Sequence, residues 1–137
     1  MKGKNMSTRS AIIEKTETGY RGIYAHSDGY LDGVGRTLLE NYMDPAKVSA
    51  LIDLGDISSL GERVKPISPN HTFDNSEEGT TVAYTRDRGE TGCEPKVAKT
   101  IRGVANKIGH NGYVYVFKDG KWTCNGKDFS DFKEDEQ

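Results

Sequence analysis

Hydrophobic and polar residues alternate with a period of two near both ends of the chain, a pattern that predicts two β-hairpins. The first covers residues 8–26 and turns at 16–19, where a glycine follows polar residues. The second covers residues 113–124 and turns at an Asp-Gly pair, 119–120, which is a strong two-residue turn signal. Between the hairpins, a run rich in β-branched residues predicts a further strand over 80–86.

Apolar residues that recur every three or four positions predict three helices between the two hairpins. The first begins near Gly33, and the second begins at Pro45 with Asp44 as its N-cap. The third opens at Pro95 and ends at Gly109, a residue type that commonly terminates helices. The predicted order of elements is therefore ββ-αα-β-α-ββ.

This order indicates a small single α+β domain with about five strands and three helices. The sheet is expected to be mainly antiparallel and to carry its helices on one face. A loop over 56–79, with a short strand expected at 63–67, is long for a domain of this size. The domain is assigned to residues 7–126, with a flexible extension at 1–6 and an acidic, disordered tail at 127–137.

The hydrophobic content is low, but the charge balance argues for a folded chain. Leu, Ile, Val and Phe account for 26 of the 137 residues, and the net charge is −2. Disorder combines low hydrophobicity with high net charge. The chain is therefore expected to fold around a thin core in which the seven tyrosines supply much of the bulk. The same balance excludes a histone-like polycation and a strongly acidic mimic of DNA.

The positions of the apolar residues, cysteines and histidines argue against a membrane span, a disulfide and a metal site. No apolar run is long enough to cross a bilayer, which favours a cytoplasmic protein. Cys93 and Cys124 are isolated and are expected to be free thiols in a reducing compartment. His26, His71 and His110 lack the spacing of metal ligands, so neither a metal site nor a cofactor is expected.

The first candidate for chemistry is a polar segment at the end of the first predicted hairpin. Histidine is the side chain that titrates near neutral pH, and His26 is followed two residues later by Asp28, so the two could act as base and acid. Glu90 would complete the set if the protein is an enzyme. In the simpler interpretation Asp28 caps its own turn and His26 is half buried.

The second candidate lies at the predicted start of the first helix. Gly33 and Gly35 allow close approach to backbone N–H groups that favour anions, and Arg36 and Thr37 add donors. The arrangement suits a phosphate or a carboxylate, although it matches neither a P-loop nor a dinucleotide-binding fingerprint. The alternative is that the two glycines only shape a turn.

The third candidate is the charged segment that follows the predicted internal strand. Arg86 and Arg88 could hold a phosphate or a carboxylate bidentately. The alternative is a local ion network in which these arginines pair with Asp87 and Glu90.

The third predicted helix has a basic face, formed by Lys96, Lys99, Arg102 and Lys107. Such a face can bind nucleic-acid phosphates, but it is more often a solvated surface. Most tyrosines and Trp122 are expected in the core or on the sheet, where one or two could stack on a base.

Five segments in combination give the chain a resemblance to a known group of proteins. They are Ser7-Thr8-Arg9-Ser10-x-Ile12, Gly22-Ile23-Tyr24-x-His26-x-Asp28-Gly29-Tyr30, Val34-Gly35-x-x-Leu38-Leu39-x-x-Tyr42, Leu54-Gly55-Asp56-Ile57-Ser58-Ser59-Leu60-Gly61 and Arg86-Asp87-Arg88-Gly89-Glu90. The chain resembles a group of small proteins of bacteriophages and integrated elements, well over residues 7–90 and loosely beyond. The resemblance implies a genomic context, with the cytoplasm of the bacterial host as the location, and transfers no residue role.

In that context a small protein without a catalytic motif is expected to antagonise a host defence system. The expected activity is non-enzymatic binding, either of a nucleotide-type immune signal or of a defence protein. The alternatives are a small hydrolase that uses His26 and Asp28, and a nucleic-acid-binding accessory protein. No membrane partner is expected, and exposed aromatics together with edge strands suggest a homodimer.

The residues expected to contact a ligand belong to the three candidate segments and to the start of the first strand. They are Arg9, His26, Asp28, Tyr30, Gly33, Gly35, Arg36, Thr37, Arg86, Asp87, Arg88 and Glu90. An anionic small molecule is the ligand class that this set suits.

Overall fold

The computed structural model describes residues 8–110 and 112–130, which fold around one mixed β-sheet. In these residues the strands are β1 (Ser10–Thr16), β2 (Gly19–Ala25), β3 (Ile57–Ser59), β4 (Val82–Ala83), β5 (Lys96–Ala98), β6 (Val114–Lys118), β7 (Lys121–Cys124) and β8 (Lys127–Asp128). The helices are α1 (Arg36–Asn41), α2 (Pro45–Asp53), α3 (Tyr84–Arg88) and α4 (Ile101–Ile108), and a π-helical turn over Leu31–Gly35 leads directly into α1.

The strands lie in the order β4-β3-β2-β1-β6-β7-β8, and β5 also pairs with β2. The pairs β1–β6 and β2–β3 are parallel, whereas the other pairings within the described residues are antiparallel. The α+β class is confirmed. The estimate of about five strands and three helices is wrong. Four strands have only two or three residues and lack a readable alternation, and the five-residue helix α3 lies where a strand was expected.

Helices cover both faces of the sheet, which corrects the expectation of a one-sided arrangement. Ile12 of β1 points into a core with α1 and α2, while Ala11 and Ile13 point into a second core with α4. All three side chains are fully buried. A central strand that is apolar on both sides requires a cover on both sides, so the run Ala11-Ile12-Ile13 accounts for the second helical layer.

Aromatic side chains that carry a polar group supply much of the larger core, as the composition predicted. Tyr42, Tyr115 and Trp122 are almost fully buried. Tyr115 donates its hydroxyl hydrogen to the Gly29 carbonyl at 2.7 Å, and the Trp122 indole N–H donates to the Tyr42 carbonyl at 2.8 Å. Each ring therefore fills space and also fixes the path of a neighbouring loop.

The segment between α2 and α4 differs most from its predicted structure. The strand expected at 63–67 is reduced to a single bridge between Arg63 and Thr80. The strand expected at 80–86 is only β4, and the chain then turns into α3.

The third predicted helix also begins later than Pro95. Residues 96–98 form β5, and α4 follows Thr100, whose hydroxyl accepts the Gly103 N–H at 2.9 Å. The end of this helix at Gly109 is confirmed.

The C-terminal hairpin is confirmed, but the ordered region extends beyond it. Asp119 and Gly120 both adopt positive φ, as a tight two-residue turn requires. Residues 127 and 128 form β8, and Phe129 is buried in the larger core, so this part of the expected acidic tail belongs to the domain. The rest of that tail, 131–137, and the expected extension at 1–6 lie outside the described residues.

Two further expectations concern the cysteines and membrane spans. Cys93 and Cys124 are both free, as predicted, and burial raises the pKa of each thiol. Within residues 8–110 and 112–130, no helix is long and apolar enough to cross a membrane.

Replacing the cap residue of α4 tests where this helix begins. We expect Thr100→Ala to lower the free energy of unfolding by about 1 kcal/mol, because the Gly103 N–H loses its acceptor. The measurement is equilibrium denaturation, with Thr91→Ala at another exposed threonine as the control. Equal stability of the two variants would contradict the capping role.

Candidate functional site

The glycines at the start of the first helical segment are used for packing rather than for an open anion cradle. The Gly33 N–H donates to the Tyr30 carbonyl at 2.9 Å, and the Val34 N–H donates to the Asp28 carbonyl at 2.7 Å. A Cβ at Gly33 would lie 2.3 Å from the Asp28 carbonyl oxygen, so only glycine fits there. The geometry matches the alternative in which the glycines shape a turn.

Gly35 and Arg36 of this cluster are also engaged within the protein, whereas Thr37 faces a cavity. Gly35 is buried, and a Cβ there would lie 3.2 Å from the Tyr115 hydroxyl. Arg36 pairs with Asp32 and Glu40 along the helix. Thr37 lines an open cavity of about 550 Å³ beside α1.

His26 and Asp28 have separate hydrogen-bond partners. His26 Nδ1 and the Tyr24 hydroxyl share a hydrogen bond of 2.7 Å. Asp28 instead accepts the Tyr30 hydroxyl hydrogen at 3.1 Å, and its backbone adopts a positive φ of 57°. The interactions of this segment therefore resemble a polar turn more than an acid–base pair.

Arg86 and Asp87 form an internal network on α3. The Arg86 guanidinium donates to the carbonyls of Val64 and Thr81, both at 2.6 Å, and also pairs with Asp87. Burial alone would raise the pKa of Asp87, but hydrogen bonds from Arg86, the Ala83 N–H and a histidine outweigh burial and lower the pKa to about 2. These two residues stabilise the fold, in agreement with the local-network alternative.

His71 is that histidine, and it joins the long loop to α3. Its Nδ1 accepts the Glu77 N–H at 3.0 Å, and its Nε2 lies 3.1 Å from Asp87 Oδ2. Because Nδ1 is an acceptor, we assign the ring hydrogen to Nε2, the nitrogen nearer the carboxylate. From the sequence, His71 was considered only as a metal ligand and was rejected because of its spacing, so this structural role was not predicted.

Glu77 organises the same loop from within. Its carboxylate accepts the Thr80 hydroxyl hydrogen at 2.6 Å and the N–H groups of Ile67 and Ser68 at 2.8 and 2.7 Å. It also pairs with Arg63 at 3.0 Å. These donors, with Thr80 the largest contributor, lower the pKa of Glu77 to about 2. The long loop is therefore a folded segment that holds the residues beside α3 in place.

What remains open to solvent is a surface of aromatic rings near the carboxyl end of β2. Tyr24 and His26 are half buried on the α4 side of the sheet, with ring centroids 5.9 Å apart. The β1–β2 register, which pairs Ser10 with Ala25, places the exposed Arg9 opposite His26. Burial raises the pKa of Tyr24, while the nearby Arg9 acts in the opposite direction.

A second group of rings continues this surface from the long loop onto α3. Phe73 and Tyr84 have ring centroids 5.5 Å apart. The Arg88 guanidinium lies over both rings, 4.1 Å from the centroid of Phe73 and 5.4 Å from that of Tyr84. Tyr84 and Tyr24 flank the same residue, because the Tyr84 N–H donates to the Asp56 carbonyl at 3.3 Å and the Tyr24 N–H donates to the Asp56 carboxylate at 3.0 Å.

Together these groups form what we call the aromatic–arginine surface, defined by Arg9, Tyr24, His26, Phe73, Tyr84 and Arg88. It contains four rings and two guanidinium groups, and the Arg88 guanidinium covers one side of the Phe73 and Tyr84 rings. Arg88 pairs with Glu90, the third member of the expected acid–base set. Rings stack on planar ligands and guanidinium groups bind phosphate or carboxylate, so the surface suits a ligand that carries both features.

The surface exists because two short strands share one edge of β2. β5 pairs with residues 20–22 and β3 pairs with Ala25, which leaves the Tyr24 N–H between them. The Asp56 carboxylate accepts that N–H at 3.0 Å in place of a strand. Burial raises the pKa of Asp56, although the hydrogen bond from Tyr24 opposes the effect.

Three of the predicted ligand residues, Arg9, His26 and Arg88, belong to this surface, and Arg88 is at the same time paired with Glu90, as in the local-network alternative. Tyr24 could have been added from the sequence, because it shares a strand face with His26. Tyr84 was hidden by the wrong strand assignment, and no periodic signal marks Phe73. Among the described residues, no group of three metal-ligating side chains is placed to hold an ion.

Comparison with known proteins leaves the geometry as the basis for a functional assignment. No protein-family model, no curated protein and no solved structure matches the chain.

The loop that supports the surface should lose stability in acid. The pKa of Glu77 in the folded protein, about 2, lies below the ordinary 4.5, so its contribution is complete above about pH 4.5 and is lost as the pH falls towards 2. We expect Glu77→Gln to lower the free energy of unfolding at about pH 6, and the difference from the wild type to shrink between pH 4.5 and 2.

Denaturation curves at a series of pH values provide this measurement. Glu78→Gln is the matched control, because the neighbouring Glu78 is exposed and contributes its backbone carbonyl, not its carboxylate, to the Arg63 network. A pH-independent effect of Glu77→Gln would contradict the assignment.

Proposed function

We propose that this protein binds a nucleotide-type anion on the aromatic–arginine surface without converting it. The observation that supports this proposal is the series of rings from His26 and Tyr24 to Tyr84 and Phe73, with a guanidinium group near each end. A nucleotide combines a planar base with phosphate, and these are the two groups that such a surface accommodates.

The energetics favour a ring-bearing ligand over a simple anion. Stacking of a base on an aromatic side chain contributes about 1–3 kcal/mol, and a charge-assisted hydrogen bond contributes about 1.5–3 kcal/mol. A phosphate alone would use Arg9 or Arg88 but not the rings. A base alone would leave the guanidinium groups to water.

Binding is better supported than catalysis by the partners of the acid–base candidates. His26 is hydrogen-bonded to Tyr24, Asp28 to Tyr30, and Glu90 to Arg88. A hydrolase of the alternative type needs a carboxylate to orient or relay a proton for His26. The observed pairings use the carboxylates of Asp28 and Glu90 elsewhere.

The biological role of binding follows from the resemblance to small bacteriophage proteins. A phage protein that holds a nucleotide-type immune signal in the cytoplasm of the bacterial host would lower its free concentration and so antagonise the defence system that the signal activates. Sequestration needs tight binding and no chemistry, which suits a surface of this kind. This role rests on the resemblance, whereas the choice of ligand class rests on the geometry.

Paired substitutions at two ends of the surface test the proposal. Probes are AMP, ADP-ribose and a cyclic dinucleotide, with inorganic phosphate as the ringless reference, and binding is measured by calorimetry. We expect at least one nucleotide to bind more tightly than phosphate. Tyr84→Leu and Arg9→Gln should each weaken that binding about tenfold or more.

Matched variants separate ring and charge from general disturbance. Tyr84→Phe keeps the ring, Arg9→Lys keeps the charge, and Lys65→Ala removes an exposed cation of the long loop. Tyr84→Phe and Lys65→Ala should bind almost as the wild type does, and Arg9→Lys should fall between wild type and Arg9→Gln. The proposal fails if no nucleotide binds better than phosphate, or if Tyr84→Leu and Tyr84→Phe weaken binding equally.

The fate of the ligand distinguishes sequestration from hydrolysis. After incubation with excess protein and heat denaturation, chromatography should recover the bound nucleotide unaltered. His26→Ala should therefore not change the recovered species. A new product that disappears in His26→Ala would instead favour the hydrolase.

A further inference from the structure

An apolar groove lies on the α4 side of the sheet, apart from the aromatic–arginine surface. It has a volume of about 510 Å³. Its floor and one wall are apolar, formed by Val114 and Val116 of β6 and by Ile101 and Ala105 of α4. Thr123, Asn125 and Gly126 form the opposite wall, and Arg102 lies at the rim.

The groove exists because the two faces of the sheet are covered unequally. On one face α1 and α2 pack over a core that extends to Trp122 of β7. On the other face α4, a helix of eight residues, packs against β1, β2 and β5. This leaves a strip above β6, β7 and β8. The strip is about 10 Å wide, because neighbouring strands are about 4.8 Å apart. An α-helix has about the same diameter and would therefore fit on the strip.

The charges beside the groove are mostly positive. Lys118 follows Val116 by two residues and shares its face, and Lys121 pairs directly with Lys118. Arg102 of α4 lines the groove, and Lys118 and Lys121 lie beyond Val116 and Thr123 at one end of the apolar floor. Asp128, opposite Thr123, is an acidic residue on this face, and hydrogen bonds from Ser130, with a smaller contribution from Lys121, lower its pKa.

We propose that this groove binds an amphipathic helix of a partner protein whose apolar stripe is flanked by carboxylates. The apolar floor accommodates the stripe, Arg102 pairs with an acidic residue beside it, and Lys121 pairs with another near one end of the helix. The partner helix lies beside α4, so that this face of the sheet is covered by two helices, as the opposite face is by α1 and α2. The interaction is independent of the nucleotide proposal, because it uses different residues.

Charge complementarity selects this occupant over a second copy of the chain. Two-fold pairing through the same face would bring Arg102, Lys118 and Lys121 of both copies together. Like charges in an interface without counter-charges oppose association. An acidic helix supplies those counter-charges.

A charge-swap experiment tests the assignment with defined probes. The first probe is a helix-stabilised, fluorescently labelled peptide of about 16 residues, roughly four turns, with leucines on one stripe and glutamates flanking it. The second probe has lysines in place of the glutamates, and a third has the composition of the first in scrambled order. We expect the full chain to bind the first at least about tenfold more tightly than the other two.

Exposed cations provide variants that leave the core untouched. Arg102→Glu and Lys121→Glu should each weaken binding of the glutamate peptide about tenfold, and the double variant should prefer the lysine peptide. Lys65→Glu, with the same change of charge on the long loop, is the control and should bind as the wild type does.

Four results would overturn the proposal. One is the absence of saturable binding of the glutamate peptide below about 1 mM, and another is equal binding of the ordered and scrambled peptides. The remaining two concern other occupants of the groove. If only a chain ending at Ser130 binds the peptide, the groove belongs to the chain's own C-terminal residues. If dimerisation measured by sedimentation is abolished by Arg102→Glu, it belongs to a second copy.

Discussion

The whole architecture depends on one strand that is buried on both sides. β1 contributes Ala11 and Ile13 to one core and Ile12 to the other, and it pairs with β2 on one edge and β6 on the other. A strand in this position needs helices above and below it and a strand on each flank. The two helical layers, and the return of the chain to β6 after about a hundred residues, both satisfy that requirement.

Local sequence patterns were sufficient to predict the elements whose structure is determined by their own residues. Both hairpins, the cap of α2 at Asp44 and the helix end at Gly109 follow from turn and capping chemistry in the sequence. The strands β3, β5 and β8 could not be predicted in this way, because each has two or three residues and exists only through its neighbour in the sheet. Long-range pairing decides their structure.

The candidate site shows the same division between local and tertiary determinants. Two segments were predicted to bind a ligand because glycines or charged residues are concentrated in them. In the structure, Gly33 and Gly35 allow neighbouring atoms to approach closely, and Arg86 and Asp87 form hydrogen bonds to backbone groups of the fold. The rings of Tyr84 and Phe73 gain their importance only when the loop held by Glu77 brings them beside Arg88. Composition identified where polar groups gather, whereas tertiary packing decided which of them face the solvent.

The parallel pairing of β1 with β6 also affects how the chain acquires its structure. The β1–β2 hairpin is local and can form within microseconds, whereas the β1–β6 contact closes a loop of roughly a hundred residues. Non-local pairings of this kind slow folding. During synthesis, the far edge of β1 therefore stays unpaired until the last quarter of the chain has emerged from the ribosome. The C-terminal hairpin is thus the element that completes the pairing of β1.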